Sequence, residues 1–336
     1  MQLPASELNV SLVDLPGQQL HKDQVFPAVF VCEGTSADMQ AACDWVSERR
    51  EELCNLAHEC GAILFRGFGA KTAEDFDQFV AAFQLPDFTY QDSLSNAVRI
   101  NRTPRVFTAN EAPPEVSIYF HHEMAQTPIY PSRLFFFCEQ PADSGGQTPL
   151  CRSDILWERL QTESPDFASD IAKKGLRYTN VMPGRDDPES GMGRSWQSTL
   201  NASTKADAEQ RLADLKYTWE WLADDCLRVT TPVLPGVRQL SQGRCSFFNQ
   251  LIAAFMGWKD KRNDPSKAIT LGDGTALDRD AVLAACRIAD ELTFDLPWQA
   301  GDIALVDNYV TMHARRQFTG TRKVLASLIG SDQAER

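Results

Sequence analysis

Six short apolar runs constrain the fold more than anything else in this chain. They are Ala62-Ile-Leu-Phe65, Ile118-Tyr-Phe-His121, Leu134-Phe-Phe-Phe-Cys138, Cys245-Ser-Phe-Phe248, Ile303-Ala-Leu-Val306 and Val324-Leu-Ala-Ser-Leu-Ile329. Each is too short for a buried helix, is rich in aromatic or branched side chains, and is set off by glycine or proline, with a turn expected at Gly272-Asp-Gly274. Amphipathic segments lie between them, but not one for one, which argues against a doubly wound parallel sheet. The pattern predicts an α+β chain: a β-core decorated by helices. A long helix is expected from Thr35 to about Cys60, with Thr35 and Asp38 resembling a capping box. Thr72 opens a second, whose Phe76, Phe79, Val80 and Phe83 fall on one face. Residues 204–226 and 279–292 read as helices too, capped by Thr204 and Asp278. The polar, glycine-rich stretch Met182–Asn201 is either a lid over a site or plain surface.

Charge narrows the function. Against 46 acidic residues stand 33 basic ones, a net charge of −13. That balance disfavours nucleic acid and anionic membranes as partners, since both require positive surface. No apolar run approaches the length of a bilayer span, and no signal peptide is visible at the N-terminus. Nine scattered cysteines without a CxxC pair suit reduced thiols, so a cytoplasmic protein is expected.

The chain has five histidines: His21, His58, His121, His122 and His313. In Ile118-Tyr-Phe-His-His-Glu123, His121 and Glu123 stand two apart on a strand-like run and would share a face, with His122 turned away. His313 follows the apolar strand 303–306. Two imidazoles and one carboxylate on one face form the facial triad of non-haem iron(II) oxygenases, although a His-x-Glu pair alone also fits ordinary core or surface residues. Past His313, Arg315, Arg316, Arg322 and Lys323 form a basic cluster in an acidic chain. Arginine suits a dicarboxylate co-substrate because its planar fork meets a carboxylate through two hydrogen bonds. A solvated charged turn accounts for Arg315 and Arg316 equally well, but less well for Arg322 at the mouth of an apolar strand.

Five pieces, in order from about residue 60 to 330, resemble the TauD/TfdA and clavaminate-synthase-like family of Fe(II)/2-oxoglutarate dioxygenases, in its SyrP-like branch. They are Gly61–Phe68, Phe120-His-His-Glu-Met-Ala-Gln126, Cys138–Thr148 with its Gly-Gly-Gln-Thr, Asn249–Asp260, and Asp307–Arg316. The resemblance implies a double-stranded β-helix (jelly-roll) core with flanking helices in a single domain over 1–336. Residues 1–60 would form a helical and strand decoration, and 182–230 a lid and helical insertion. It implies His121, Glu123 and His313 as iron ligands, and Thr148 and Arg322 as contacts to 2-oxoglutarate. Position 326, four residues after Arg322, is alanine rather than a second arginine, so Lys323 or one of the 315–316 pair could share that task. Glu123 stands where most relatives carry Asp, and a carboxylate there argues against halogenation. Iron(II), 2-oxoglutarate and O2 would then oxidise a C–H bond of a small amino-acid-like substrate by hydroxylation, desaturation or oxidative cyclisation, releasing succinate and CO2. Asn101, Arg194, Asn249 and Trp258 are the candidates to line the substrate pocket, and Arg66 could be one or a structural ion pair. Two rival classes are a Zn-dependent hydrolase using the same triad and a non-catalytic jelly-roll binding protein.

Overall fold

Leu134-Phe-Phe-Phe-Cys138 is apolar at every position because its strand, Ile129–Gln140, is covered on both faces. The computed structural model describes residues 8–34, 38–90, 93–95, 97–109, 112–190, 192–258, 262–263 and 267–333. In it this strand lies within a seven-stranded sheet, ordered Val10–Leu12, Ala28–Cys32, Ala62–Arg66, Ile303–Asp307, Ile129–Gln140, Lys323–Gln333 and Val106–Thr108. Every pairing is antiparallel except that of Ala28–Cys32 with Ala62–Arg66. Alternation then sorts the side chains. Ile63, Phe65, Phe135, Phe137, Ile303, Leu305 and Leu325 meet the helices Met39–Cys60 and Ala73–Ala81. Leu64, Leu134, Phe136, Ala304, Val306, Val324 and Ala326 face inward.

What they face is a four-stranded antiparallel sheet, ordered Thr293–Leu296, Thr148–Arg152, Thr311–Arg315 and Ile118–His121. Leu150, Phe294 and Leu296 close the layer between the sheets. Cys151, Met312 and Ala314 turn outward, into a cluster with the helices Ser153–Glu163, Pro165–Lys174 and Arg279–Glu291. The result is two facing sheets with helices outside each. Burying each large apolar side chain in these layers stabilises the fold by about 1.5–3 kcal/mol.

Five of the six expected runs lie in strands. The sixth shrinks to Cys245–Ser246, after which Phe247 and Phe248 enter the core as irregular chain. Thr72 forms its capping box, and Asp278 accepts from the Asp280 and Ala281 amides to start Arg279–Glu291. The first helix begins at Met39 after Asp38, and Thr35 lies outside the described residues. The helix expected over 204–226 is half right. Thr204 caps Lys205–Asp214, but Lys216 takes a left-handed φ of 61°, and Thr218–Trp221 pairs as a strand. The Tyr-Thr-Trp-Glu-Trp sequence explains the switch, since β-branched and aromatic side chains favour a pleated surface. That strand belongs to a third sheet with Leu227–Thr230, Leu176–Met182 and Ile269–Leu271. All nine cysteines are unpaired. No helix among the described residues is long and apolar enough to cross a membrane.

Candidate metal centre

His313 lies in the middle of Thr311–Arg315, with Leu150 opposite on one neighbouring strand and His121 opposite on the other. Directly opposed residues of an antiparallel pair bring their side chains together, and here the two imidazole centroids are 4.2 Å apart. Strand alternation points His313 between the sheets, where it meets the Phe136 ring at 5.2 Å.

Glu123 reaches the same point by a different route from the one expected. The strand ends at His121, and Glu123 lies in the turn that follows, in which Met124 takes a φ of 59°. The turn returns the carboxylate to the imidazoles: Oε2 lies 3.9 Å from His121 Nε2 and 3.6 Å from His313 Nε2. One ligand atom from each of the three residues falls within 4.8 Å of the others. His122 points away, as expected, and is buried between Ser153 Oγ and the Asn308 carbonyl.

Two side chains that sequence reasoning did not single out hold this turn. Asn308 is fully buried; its Oδ1 accepts from the Glu123 amide at 2.8 Å, and its Nδ2 donates to the Glu123 and Pro131 carbonyls at 3.0 and 2.8 Å. Arg99 donates through Nη2 to Glu123 Oε1 at 2.9 Å, which leaves Oε2 for the imidazoles. Burial pushes the Glu123 carboxyl up, but Arg99 and the two histidines outweigh it and hold the group well below the usual carboxylate range. Burial, then repulsion from His313, lowers His121 to about 4, so its ring is neutral at pH 7. His121 Nδ1 faces the Tyr119 carbonyl at 2.8 Å, which fixes the proton there and leaves the Nε2 lone pair toward Glu123. The set thus fits a metal ion: two imidazole nitrogens and one anionic oxygen, buried and oriented.

A small cavity of about 60 Å³ opens on one side of the triad, lined by Phe136, Thr148, Ala314, Arg315, Arg322 and Val324. Arg322 donates to the Gly146 carbonyl at 2.8 Å and, through Nη2, to Thr148 Oγ1 at 3.2 Å; its Nη1 has no acceptor among the described residues. Trp298 also donates to Thr148 Oγ1, at 2.9 Å, so the threonine's own hydroxyl proton stays available as a donor. Burial and then Arg315 push Arg322 down to about 10, still a cation at neutral pH. A larger cavity of about 420 Å³ opens beside His121 and Glu123, lined in part by Asp187, Glu189, Ser190 and Met192. Arg99 borders both cavities.

The remaining expected site residues divide. Trp258 lines the larger cavity, packed at 5.8 Å on Tyr178. Lys323 does not line either: it follows Arg322 in the chain, begins the strand Lys323–Gln333 and is exposed. Arg315 lines the small cavity but donates to the Ala112, Pro113 and Val116 carbonyls, and Arg316 pairs with Asp295 at the surface. Asn101 is exposed, lines neither cavity, and is joined to Phe107 by a backbone bridge. Arg194 is buried over the Tyr90 ring, and its guanidinium binds the Tyr90, Ser93, Ser95 and Ser198 carbonyls, so it braces the backbone rather than a ligand. Asn249 is likewise turned inward, to the Gly236 carbonyl and the Leu251 amide; Asp260, the end of its motif, lies outside the described residues. Arg66 is the structural ion pair, with Asp302 at 2.7 Å.

Residues 25–328 match the family described as taurine catabolism dioxygenase TauD, TfdA family. Over 329 residues the chain is 40% identical to a clavaminate synthase-like protein of Arabidopsis thaliana, covering 96% of this chain and 99% of that protein. It is 28% identical over 294 residues to the dapdiamide synthesis protein DdaC of Enterobacter agglomerans, covering 82% and 83%. Among solved structures, PvcB from Pseudomonas aeruginosa aligns over 98% of this chain and 93% of its own, with a TM-score of 0.54 at 15% identity. AAD-2, crystallised with Mn(II) and N-oxalylglycine, aligns over 97% and 100%, with a TM-score of 0.53 at 13% identity. These last two are likenesses of fold.

Proposed function

The chain belongs to the TauD, TfdA family of iron(II)- and 2-oxoglutarate-dependent dioxygenases, and on that premise we propose that it oxidises a C–H bond of a small amino-acid-like metabolite. The two facing sheets support reading the core as a double-stranded β-helix. One oxygenase domain over 1–336 would then carry 1–60 as decoration and 182–230 as lid and insertion; the presence of Asp187, Glu189, Ser190 and Met192 in the cavity wall supports the lid. Nine unpaired cysteines support a cytoplasmic protein.

His121, Glu123 and His313 would hold the iron, and Thr148 and Arg322 the 2-oxoglutarate. When bound, this pair supplies the oxidation: O2 is consumed, 2-oxoglutarate becomes succinate and CO2, and the substrate is hydroxylated, desaturated or cyclised. The chain's own contribution is placement. Strand pairing sets the two imidazoles side by side, Asn308 fixes the turn that carries Glu123, and Arg99 orients its carboxylate. Arg322 and the Thr148 hydroxyl offer donors suited to a carboxylate in the small cavity. Phe136 and Val324 keep the wall between them apolar and exclude water. The observation that carries the reading is the position of the triad, between a small arginine-ended cavity and a larger one able to take a metabolite.

DdaC and PvcB are named for dapdiamide synthesis and an isonitrile synthetic pathway, which supports a biosynthetic amino-acid-derived substrate. The test is succinate release from 2-oxoglutarate with Fe(II) and O2, screened across amino acids and N-substituted derivatives. Stimulation by one compound class, lost in His313→Ala, is expected. Metal-dependent hydrolysis with Zn(II) and no succinate would favour a hydrolase instead.

A further inference from the structure

The larger cavity contains two polar side chains that the fold leaves unsatisfied. Arg99 is only 9% exposed, yet its one hydrogen bond to a described residue is that from Nη2 to Glu123; Nε is buried with no acceptor. Gln126, 6% exposed, has a buried Oε1 with no donor. Leaving such groups unpaired is costly in a folded protein; both side chains line one cavity, and although the two atoms are occluded in the unliganded protein, rotation of each side chain toward a ligand would pair them. One is a cationic donor and the other a neutral acceptor, so the complementary ligand carries an anion and an N–H.

Charge is distributed unevenly over the two cavities. Arg99, Arg315 and Arg322 line the small one, where Glu123 is the one anion among the described lining residues. Arg99 is the one cation among the described residues lining the large one, opposite Glu123, Asp187 and Glu189. Arg322 and Thr148 line the small cavity and not the large one, Gln126 lines the large one and a narrow cleft beside Thr127 and Tyr178, and Arg99 borders both the small and the large cavity. We propose that Arg99 is the anchor for a carboxylate of the substrate, and that Gln126 receives an N–H beside it, which makes the substrate an amino- or acylamino-carboxylate. This rests on the reading of the large cavity as the substrate site. Ser117, Tyr119, Gln250 and Trp258 also line the cavity and make its wall partly aromatic and partly hydrogen-bonding.

The test uses L-amino acids and N-acetyl-L-amino acids with their matching primary amides, which keep the size and shape but remove the negative charge and replace one acceptor oxygen by an NH2 donor. Binding is measured by calorimetry on the apoprotein and on the protein loaded anaerobically with Fe(II) and 2-oxoglutarate. The best carboxylate should bind at least about tenfold more tightly than its amide, because a charge-assisted hydrogen bond to arginine is lost. Arg99→Gln should erase that preference, Arg99→Lys should restore part of it, and Gln126→Leu should weaken acid and amide alike. Equal binding of acid and amide by the wild type, or no carboxylate bound at all, overturns the proposal. So does an Arg99→Gln variant that loses metal affinity yet keeps the preference, since Arg99 would then act through Glu123 only. Failure of the Fe(II)·2-oxoglutarate complex to form would instead strike the oxygenase reading, and the calorimetry on apoprotein separates the two.

Discussion

Replacing Asn308 with alanine tests how the metal turn is held. The side chain is fully buried and makes three hydrogen bonds, one from the Glu123 amide and two to the Glu123 and Pro131 carbonyls. Each hydrogen bond lost contributes about 1 kcal/mol net, and each buried group left unpaired raises the cost toward about 1–3 kcal/mol, so Asn308→Ala should lose at least about 3 kcal/mol. With an unfolding entropy of about 2.1 cal/mol/K per residue, a chain of 336 residues should then melt about 4 °C lower. The same change frees the backbone under Glu123, and loss of a residue that orients a ligand should weaken metal binding by about 10–100-fold. Scanning calorimetry reads the first effect, and titration of the apoprotein with Co(II) reads the second. Asn308→Asp keeps the Oδ1 acceptor but turns an anionic oxygen toward two carbonyls, so it should be no better. If Asn308→Ala melts within 1 °C of the wild type, or binds Co(II) equally tightly, the clamp is not what places Glu123 and the account of the turn is wrong.

Arg322→Gln should weaken 2-oxoglutarate binding by about tenfold or more, since a charged donor in a buried cavity is lost, while exposed Lys323→Ala should leave it unchanged; a titration of each variant under anaerobic Fe(II) decides this. Arg194→Met should destabilise the fold by several kcal/mol, seen as a lower urea midpoint, because it strips a buried cation from the Ser93, Ser95, Tyr90 and Ser198 carbonyls. Asp154 is buried against Arg152 and Arg244; burial raises its pKa, but the two arginines lower it further, so the folded value lies below the unfolded one. The stability it contributes is therefore complete above about pH 4 and lost as the pH falls toward the folded value, and Asp154→Asn should flatten that part of the urea-stability profile.

Much of this architecture was legible because it is written in local patterns. The apolar runs at 62–65, 134–138, 303–306 and 324–329 became strands, since a strand buried on both faces is nearly all apolar, with buried Ser327 the one polar residue among these runs. His121 and His313 converge through strand pairing, which a short motif signals well, while Glu123 joins them by the turn after the strand rather than on it. Long-range placement was not legible. Arg99 and Asn308 meet Glu123 from 24 and 185 residues away; Arg99 stands in no motif, and Asn308 lies in the piece Asp307–Arg316 without any local sign of the partner it clamps. Arg194 and Asn249 misled for the complementary reason: polar residues in an expected pocket region were already committed to buried backbone groups, which a folded chain must satisfy. Gln126 stood in a quoted motif, but only its buried, unpaired Oε1 in the cavity wall gives it a role.

The central claim is that His121, Glu123 and His313 hold iron beside a 2-oxoglutarate site. Anaerobic addition of Fe(II) and 2-oxoglutarate to the intact protein tests it most directly, because the chelate has a weak metal-to-ligand charge-transfer band in the visible that neither component has alone. The account predicts that band in the wild type and its loss in His313→Ala. A wild-type protein without the band, or a His313→Ala variant that keeps it, would contradict the account.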